Sequence, residues 1–285
     1  MALDLHKKLK GKISVTSKGK LKTKDDWSTM YTPGVAAVSA HLAKKPQDAR
    51  KYTVTGNTVA VISDGSAVLG LGDIGPIASL PVMEGKAAIF KEMADVDAWP
   101  IVLDVHTVEE IVSAVVSIAP SFGGINLEDI SAPKCFEVEE RLKKLLPIPV
   151  MHDDQHGTAI VVLAGLINAA KVVEKKLTKL KIVIVGAGAA GKAIAMLLLL
   201  AGISDVIVCD SKGIITSGRK GLSGYKKQLA KESNPRKVKG LLIDAVTGAD
   251  VVIGVSDPKS RNAHHAQASE EYASLFALAK PAPEI

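Results

Sequence analysis

A glycine motif after an apolar run is the first part of the sequence that could do chemistry. The motif, GAGAAG, begins at Gly186, directly follows the apolar run 181–185 and directly precedes an Ala- and Leu-rich stretch. GxGxxG alone is a weak signal, but a strand before it and a helix after it are the setting in which it binds the pyrophosphate of a dinucleotide. The alternative is a turn whose glycines serve only packing. The expected phosphate-binding residues are Gly186, Gly188, Ala189, Ala190 and Gly191.

Asp210 ends the next predicted strand, 205–210, about 20 residues after the motif, where an acid commonly binds the ribose 2′-hydroxyl of NAD. A carboxylate at this place repels the extra phosphate of NADP. Ser211 and Lys212 follow directly, however, and further basic residues lie downstream, namely Arg219, Lys220, Lys226 and Lys227. A hydroxyl and an ammonium beside the ribose can compensate for the carboxylate by charge-assisted hydrogen bonds. We therefore favour NADP, with NAD as the other candidate. Two alternatives stay open: Asp210 caps a turn before Gly213, and the downstream lysines form a solvated helix face.

Acidic pairs follow two short apolar runs in the first half of the chain, 124–127 and 148–151. Ligands of open parallel sheets lie outside the carboxyl ends of the strands, so both pairs stand where an ion could bind. Carboxylates without a cysteine partner suit Mg²⁺ or Mn²⁺ better than zinc. The alternative for each pair is a cap or a solvated turn. The pairs are Glu128 with Asp129, and Asp153 with Asp154; Asp73 is a further acid in a Gly-rich loop.

Lys86 is a candidate base because its neighbours in 81–88 are mostly small and apolar. Desolvation disfavours the charged form of a lysine, lowers its pKa and can make it a proton acceptor. The alternative is an ordinary surface lysine whose charged end reaches water.

Strands alternating with helices must position these residues, and this alternation predicts parallel strands joined by crossover helices. We predict an α/β protein with an N-terminal α/β catalytic domain, residues 1–160, and a Rossmann-type dinucleotide-binding domain, residues 161–285. The long apolar pattern 157–173 is predicted to be a helix at the hinge between them. Predicted strands are 58–63, 100–103, 124–125, 148–151, 181–185, 205–210 and 250–255; the other predicted helices are 82–93, 107–119, 133–145 and 191–201.

Composition narrows the class of protein. The 285 residues are 47 % hydrophobic and carry a formal net charge of +6, with much of the excess in 7–24 and 212–239. Neither stretch interleaves aromatic side chains with its basic ones, so we interpret them as solvated basic faces of an enzyme that handles anions and expect no nucleic-acid partner. The stretch 7–24 is predicted to be irregular.

Cysteine usage and apolar runs bear on location. The two cysteines, Cys135 and Cys209, lie far apart without a CxxC pattern, which favours neither a disulfide framework nor a zinc site. The longest apolar run, 193–203, is far shorter than the roughly 18 residues of a membrane span, and residues 1–10 show no signal peptide. We expect a cytoplasmic protein without a membrane partner.

Five sequence blocks occur in an order that resembles the signature blocks of short prokaryotic malic enzymes, and the resemblance extends over residues 26–255. The blocks are YTPGVA at 31–36, DGSAVLGLGDIGP at 64–76, MEGK at 83–86, NLED at 126–129 and HDDQHGT at 152–158. The resemblance implies that malate is oxidised and decarboxylated to pyruvate and CO₂ with NADP or NAD and with Mg²⁺ or Mn²⁺. It also suggests a homodimer, with Tyr31 reaching across the interface.

The resemblance assigns roles to individual residues. Lys86 matches the base that takes the proton from the C2 hydroxyl, and Asp153 matches an acid that supports this lysine. Tyr31 matches the acid that protonates C3 of enolpyruvate after CO₂ has left. The matches to the metal ligands are Glu128, Asp129 and Asp154.

Two departures from the family pattern stand near the end of the chain. Asp257 occupies a position that is usually glycine, and Lys280 occupies that of an asparagine which contacts substrate and nicotinamide. Family members also usually continue past the equivalent of Ile285. The favoured expectation is an active enzyme; the alternative is a dinucleotide- or metal-binding module with little turnover. A third possibility is a metal-free dehydrogenase of amino or hydroxy acids that does not decarboxylate.

Overall fold

The computed structural model describes residues 1–256 and 273–278, which form two α/β units. The first unit consists of Met1–Gly65, Ile74–Glu128 and Val138–Met151. The second consists of Ser66–Asp73, Asp129–Glu137 and the described residues from His152 onward. The predicted division at residue 160 stays a prediction; that position lies inside a helix.

A four-stranded sheet organises the first unit. Its strands are β1 (Thr58–Ser63), β2 (Asp97–Val102), β3 (Gly124–Leu127) and β4 (Val150–His152), in the order β2-β1-β3-β4. β1 pairs in parallel with both β2 and β3, as the alternation with helices predicts. The connecting helices are α5 (Gly75–Ala94), α6 (Val108–Ile118) and α7 (Lys134–Leu145). All four predicted strands and all three predicted helices of this half are confirmed, but α5 begins at Gly75 and not at the predicted residue 82.

The core of this first sheet explains its strands. β1 is buried at nearly every position, with Ala60, Val61 and Ile62 fully inaccessible, which is typical of a parallel strand covered on both faces. Met83 and Ala87 of α5 pack against Val61. Lys86 directly precedes Ala87 on α5. The packing of Met83 and Ala87 therefore holds Lys86 near the carboxyl end of the sheet.

Four helices precede the first sheet and bury none of their residues. They are α1 (Ala2–Leu9), α2 (Lys24–Met30), α3 (Val35–Lys44) and α4 (Ala49–Tyr52). The prediction that 7–24 is irregular is wrong at both ends, because 7–9 belong to α1 and α2 begins at Lys24. A capping box starts α2: the Thr23 hydroxyl accepts from the Asp26 N–H, and the Asp26 carboxylate accepts from the Thr23 N–H.

A five-stranded sheet organises the second unit. Its strands are β5 (Lys181–Val185), β6 (Asp205–Asp210), β7 (Gly213–Ile214), β8 (Val251–Gly254) and β9 (Ser274–Ala277), in the order β7-β6-β5-β8-β9. All neighbours are parallel except β6 and β7. The helices of this unit include α9 (Ala189–Leu200), α10 (Gly224–Glu232) and α11 (Leu242–Val246). The strand order reverses beside β5, where Rossmann-type sheets bind their ligands, so the predicted fold class is confirmed.

The helix α8 (Asp153–Val172) also belongs to the second unit, and it begins earlier than predicted. Asp153 and Asp154 therefore lie in its first turn and not on extended backbone at a strand end. Acidic side chains are favourable there because the helix dipole is positive at its N-terminus. Ala159, Val162 and Leu166 bury the inner face of α8. Among the described residues, no helix is both long and apolar enough to cross a membrane.

Candidate functional site

The turn between β5 and α9 forms a phosphate-sized cradle. Gly186 has φ of +120°, and a Cβ at this position would overlap the carbonyl of Val255. A Cβ at Gly191 would overlap the carbonyl of Gly186. Gly188, the N-cap of α9, differs: a Cβ there meets no atom within 4 Å. Two glycines therefore permit the backbone path, and the third leaves open space where free N–H groups of α9, including those of Ala189 and Ala190, can meet an anion.

A cavity of about 720 Å³ opens beside this turn. It extends from the glycine turn past the end of β6 to α10 and α11, the path that a dinucleotide takes over a Rossmann half. Both Asp210 and Ser211 line it, whereas Lys212 does not. The lining residues are Val185, Gly186, Ala187, Gly188, Asp210, Ser211, Gly213, Tyr225, Lys226, Leu241, Leu242, Ile243, Val255 and Ser256.

Asp210 is bound by two cations. Its Oδ2 lies 2.5 Å from Arg219 Nη2 and 2.7 Å from Lys226 Nζ, and its Oδ1 accepts from the Lys212 N–H at 2.9 Å. Burial raises the pKa of Asp210, but the hydrogen bonds from Arg219, Lys226 and Lys212 outweigh it and lower the pKa to about 2. The side chain is 8 % exposed. Asp210 therefore lies beside the cavity, as expected. It also binds the Lys212 N–H in the turn before Gly213, which was the alternative.

The neighbours of Asp210 differ in what they offer to a ligand. Ser211 and Lys212 have exposed side chains, and Lys212 contributes its N–H to the turn. Arg219 and Lys226 are half-buried beside the carboxylate, with side chains 19 % and 25 % exposed. One carboxylate with two cations leaves an excess of positive charge on this cluster.

Lys86 and Glu128 meet in the first unit. Lys86 Nζ lies 3.2 Å from Glu128 Oε1, and these side chains are 23 % and 8 % exposed. The buried Asn126 donates from Nδ2 to Glu128 Oε2 at 2.8 Å. α5 supplies the lysine, and β3 and the residue after it supply the amide and the carboxylate, so a helix and a strand of the first unit together form the cluster at the end of the sheet.

Asp129 and Asp154 meet in the second unit. The Asp129 N–H donates to Asp154 Oδ2 at 2.9 Å. His152, which is fully buried, places Nε2 at 3.3 Å from the same oxygen. Gln155, also buried, places its amide nitrogen 3.1 Å from His152 Nδ1. Sequence analysis gave no role to His152, Gln155 or Asn126; only their burial beside carboxylates distinguishes them.

The remaining predicted residues lie as follows. Asp153 starts α8, and a Cβ at Gly157 would come 2.5 Å from Asp153 Oδ1, so position 157 must stay small for this carboxylate to keep its place. Tyr31 ends α2 with its side chain 63 % exposed, and Asp73 is also exposed. Asp257 and Lys280 lie outside the described residues.

The carboxylates suit a hard divalent cation by their chemistry. Glu128 and Asp129 are 6 % and 4 % exposed, and burying two adjacent carboxylates is costly unless positive charge compensates them. Their oxygens are the ligands that Mg²⁺ and Mn²⁺ prefer. Across residues 1–256 and 273–278, no three His, Cys, Asp or Glu side chains are gathered into a ready-made cage for an ion. The carboxylate oxygens are therefore suitable ligands for such an ion, although they are not arranged around one in the described structure.

Comparisons with known proteins agree with both halves of the fold. The family model for the malic enzyme N-terminal domain matches residues 10–143, and that for the malic enzyme NAD binding domain matches residues 155–262. The crystal structure of an NAD-dependent malic enzyme from Thermotoga maritima superposes with a TM-score of 0.96 at 47 % identity, covering 100 % of this chain and 76 % of that one.

Similar sequences lead to the same family. The NAD-dependent malic enzyme of Geobacillus stearothermophilus is 54 % identical over 96 % of this chain, which spans 58 % of that relative's length. The bifunctional malic/malolactic enzyme of Bacillus subtilis is 49 % identical over 100 % of this chain and 70 % of its own length. The NADP-dependent malic enzyme of Escherichia coli is 43 % identical, and this chain spans 38 % of it. The resemblance inferred from the five sequence blocks is confirmed: the chain belongs to the malic enzyme family.

Proposed function

We propose that the chain catalyses the oxidative decarboxylation of malate to pyruvate and CO₂, with a nicotinamide dinucleotide as oxidant and a divalent metal. The observation that carries the proposal is the contact between the half-buried Lys86 and the buried Glu128 at the end of the first sheet. A cation-binding carboxylate and a proton-accepting amine side by side are what hydroxyl oxidation requires. The cavity at the glycine turn supports the dinucleotide.

The chain's residues would divide the reaction between them. Lys86 takes the proton of the C2 hydroxyl while the hydride of C2 leaves for the nicotinamide, and Asp153 supports this lysine. Tyr31 protonates C3 after CO₂ has left, which completes pyruvate. General acid–base groups placed in this way typically accelerate such steps by roughly 10²- to 10⁴-fold each.

Glu128, Asp129 and Asp154 would hold Mg²⁺ or Mn²⁺. A bound ion would supply Lewis acidity to the substrate. In support, the first two carboxylates are buried, and Asp129 and Asp154 are joined by the 2.9 Å contact from backbone N–H to carboxylate. In the described structure the positive charge beside Glu128 comes from Lys86.

For the cofactor we propose NADP in preference to NAD. Asp210 is neutralised by Arg219 and Lys226, so its carboxylate no longer presents a full negative charge to a 2′-phosphate. The half-buried Lys226 lines the cavity, and a charge-assisted contact from it to the phosphate would favour NADP. Lys212, which the sequence singled out, does not line the cavity and contributes less to this preference.

Substituting Lys226 tests the cofactor preference. We expect Lys226→Ala to raise the KM for NADP about 10-fold relative to that for NAD, since hydrogen bonds to charged groups contribute roughly 1.5–3 kcal/mol. Lys227→Ala is the matched control, because this lysine follows on the same helix and is exposed. Equal effects on the two cofactors in Lys226→Ala would refute the preference for NADP.

Steady-state kinetics test the function itself. Malate should drive growth of the reduced-nicotinamide absorbance with Mn²⁺ present, with pyruvate and CO₂ formed in equal amounts, and a chelator should stop it. Oxidation that survives the chelator and releases no CO₂ would instead indicate a metal-free dehydrogenase. Dinucleotide binding without turnover would indicate a binding module.

We further propose that the chain forms a homodimer through the N-terminal segment 1–52. Its helices bury none of their residues, yet they carry large exposed apolar side chains such as Leu3, Trp27 and Tyr31. A second copy that covers this surface would also enclose Tyr31 in a drier environment. The cytoplasmic location stays a prediction from the sequence.

A further inference from the structure

Large apolar side chains line the end of the dinucleotide cavity that lies beside α10 and α11. Tyr225 belongs to α10, and residues 241–243, two leucines and an isoleucine, form the N-cap and the first two residues of α11. The glycine turn and Asp210, which line the rest of the cavity, suit the phosphates and a ribose. The group attached to that ribose in a dinucleotide is a flat base with apolar faces.

Two side chains at this end of the cavity remain exposed. Leu241 is 64 % exposed and Ile243 is 40 % exposed, whereas Leu242 between them packs into the core of the unit. Covering apolar side chains is favourable because it removes their surface from water. A base that lay against Leu241 and Ile243 would provide this cover.

Phe136 supports Tyr225 from the side of α7. The two ring centroids lie 4.9 Å apart with the planes tilted by 53°, a favourable arrangement for an aromatic pair. Lys192 Nζ lies 4.1 Å from the centroid of Phe136, within the range of a cation–π contact. Phe136 therefore contacts both α9, which starts at the glycine turn, and α10, which carries Tyr225. All three residues belong to the second unit.

We infer that the adenine base of the dinucleotide packs against Tyr225, Leu241 and Ile243, and that Phe136 is a positioning residue that holds Tyr225 in place for this contact. The inference rests on the proposed use of a nicotinamide adenine dinucleotide and is independent of the proposed reaction. Tyr225 directly precedes Lys226 on α10. The base and the 2′-phosphate, which are attached to the same ribose, would thus meet adjacent residues.

Calorimetric titration with parts of the cofactor tests the contact with the base. 2′,5′-ADP and AMP carry adenine and its ribose with and without the 2′-phosphate, whereas inorganic pyrophosphate carries no base. We expect Tyr225→Ala to weaken 2′,5′-ADP and AMP by the same factor, about 5- to 150-fold, the usual contribution of a base stacked on an aromatic ring. Pyrophosphate should bind as before. Tyr225→Phe keeps the ring and should bind all three ligands within about twofold of the unsubstituted protein.

Substitutions of Phe136 test its positioning role. Phe136→Leu keeps an apolar side chain but loses the aromatic pair, and it should weaken both adenine ligands about 2- to 10-fold. Phe136→Tyr retains the ring and should restore their affinity. Urea unfolding is followed in each variant. Equal losses in the two Phe136 variants, or losses that follow stability and include pyrophosphate, would show a merely structural role and overturn this part of the inference.

Leu241→Ser provides a test that does not depend on the folding of the aromatic variants, because this side chain is largely exposed. It should weaken 2′,5′-ADP and AMP about 3- to 10-fold. Leu200→Ser is the matched control, since Leu200 is 85 % exposed at the far end of α9 from the glycine turn. An effect of Leu241→Ser no larger than that of Leu200→Ser would overturn the inference.

The remaining outcomes separate this inference from the proposed function. Unchanged affinity for both adenine ligands in Tyr225→Ala would overturn the inference, and so would a loss confined to 2′,5′-ADP, which would assign Tyr225 to the 2′-phosphate. If Lys226→Ala left 2′,5′-ADP unaffected while Tyr225→Ala weakened both ligands, the preference for NADP would fail and the inference would stand. An unsubstituted protein that bound none of the three ligands would refute the proposed cofactor and the inference with it.

Discussion

At the scale of the single residue, the proposed chemistry depends first on Lys86. Its amine lies at the end of the first sheet and touches Glu128, so removing it deletes a proton acceptor without touching the glycine turn in the other unit. We predict that Lys86→Ala lowers kcat for malate oxidation by roughly 10²- to 10⁴-fold. The dissociation constant for NADP, measured by calorimetry, should stay unchanged.

Lys91→Ala is the matched control for this prediction. Lys91 lies on the same helix, α5, and pairs with Asp95 and Asp97 at the surface, where such pairs contribute little. Its kcat should equal that of the unsubstituted protein. Undiminished turnover in Lys86→Ala would end the assignment of the base.

Asp210 makes a second prediction at this scale, concerning stability against acid. Its pKa in the folded state is about 2, below the roughly 3.9 of an unfolded chain. Its contribution to the free energy of unfolding, about 1 to 2 kcal/mol, is therefore complete above pH ~4 and is lost as pH falls towards ~2. The stability difference between the unsubstituted protein and Asp210→Asn should be constant from pH 7 to 5 and shrink by pH 3.

Urea unfolding at each pH measures this difference. Asp205→Asn serves as control, since Asp205 lies on the same strand but pairs with Arg236 nearer the surface, and its effect should stay small at every pH. A difference for Asp210→Asn that grew on acidification would show that the carboxylate is not stabilised by its two cations.

Spacing along the chain located these residues but not the contacts that they make. Asp210 could be placed because strand and motif lengths are regular in a dinucleotide-binding half. Arg219 and Lys226 approach it from a loop and from α10, whose path no local pattern specifies. His152 stood in a recognisable block, yet its complete burial follows from tertiary packing that no local pattern specifies.

At the scale of the element, the β5–α9 turn predicts different outcomes for two of its glycines. Gly186→Ala places a Cβ on the Val255 carbonyl at a φ of +120°, so it should lower the free energy of unfolding by about 1–3 kcal/mol and abolish NADP binding. Gly188→Ala meets no atom within 4 Å and has φ of −82°. It should leave stability unchanged and still weaken NADP, because the methyl group occupies the phosphate space.

Urea unfolding and calorimetric titration with NADP give both numbers for each variant. The two variants serve as controls for each other, since they insert the same group two positions apart in the motif. If Gly188→Ala bound NADP as tightly as the unsubstituted protein, the phosphate would not lie where the motif places it.

Elements were predictable where burial and periodicity agree. β1 and β5 are apolar runs of strand length, and α9 follows a glycine turn, so these three were found. α5 was found by its helical spacing, but it begins at Gly75 and not at the predicted residue 82. The start of α8 was missed because its acidic first turn lacks apolar spacing, although it suits a helix N-terminus. α1 was missed because its leucines lie among lysines and none is buried.

At the scale of the whole molecule, the N-terminal segment 1–52 carries large exposed apolar side chains on helices that bury none of their residues. Trp27 and Met30 of α2 are 53 % and 47 % exposed, although such side chains usually gain about 1.5–3 kcal/mol on burial. Exposed apolar surface of this kind marks sites of association. The neighbouring Tyr31 needs a water-poor setting for its proposed role, which links association to activity.

The last prediction follows from this link. A protein with both Trp27→Glu and Met30→Glu should be monomeric in sedimentation velocity at concentrations where the unsubstituted chain is a dimer, its dissociation constant raised at least about 30-fold by the loss of central apolar contacts. Malate turnover should fall with it, since Tyr31 loses its cover. Val172→Glu with Leu200→Glu is the control, because these side chains are 82 % and 85 % exposed on α8 and α9; it should leave dimer and turnover unchanged. A dimer that persists in the first variant and dissociates in the control would move the interface to the dinucleotide-binding unit.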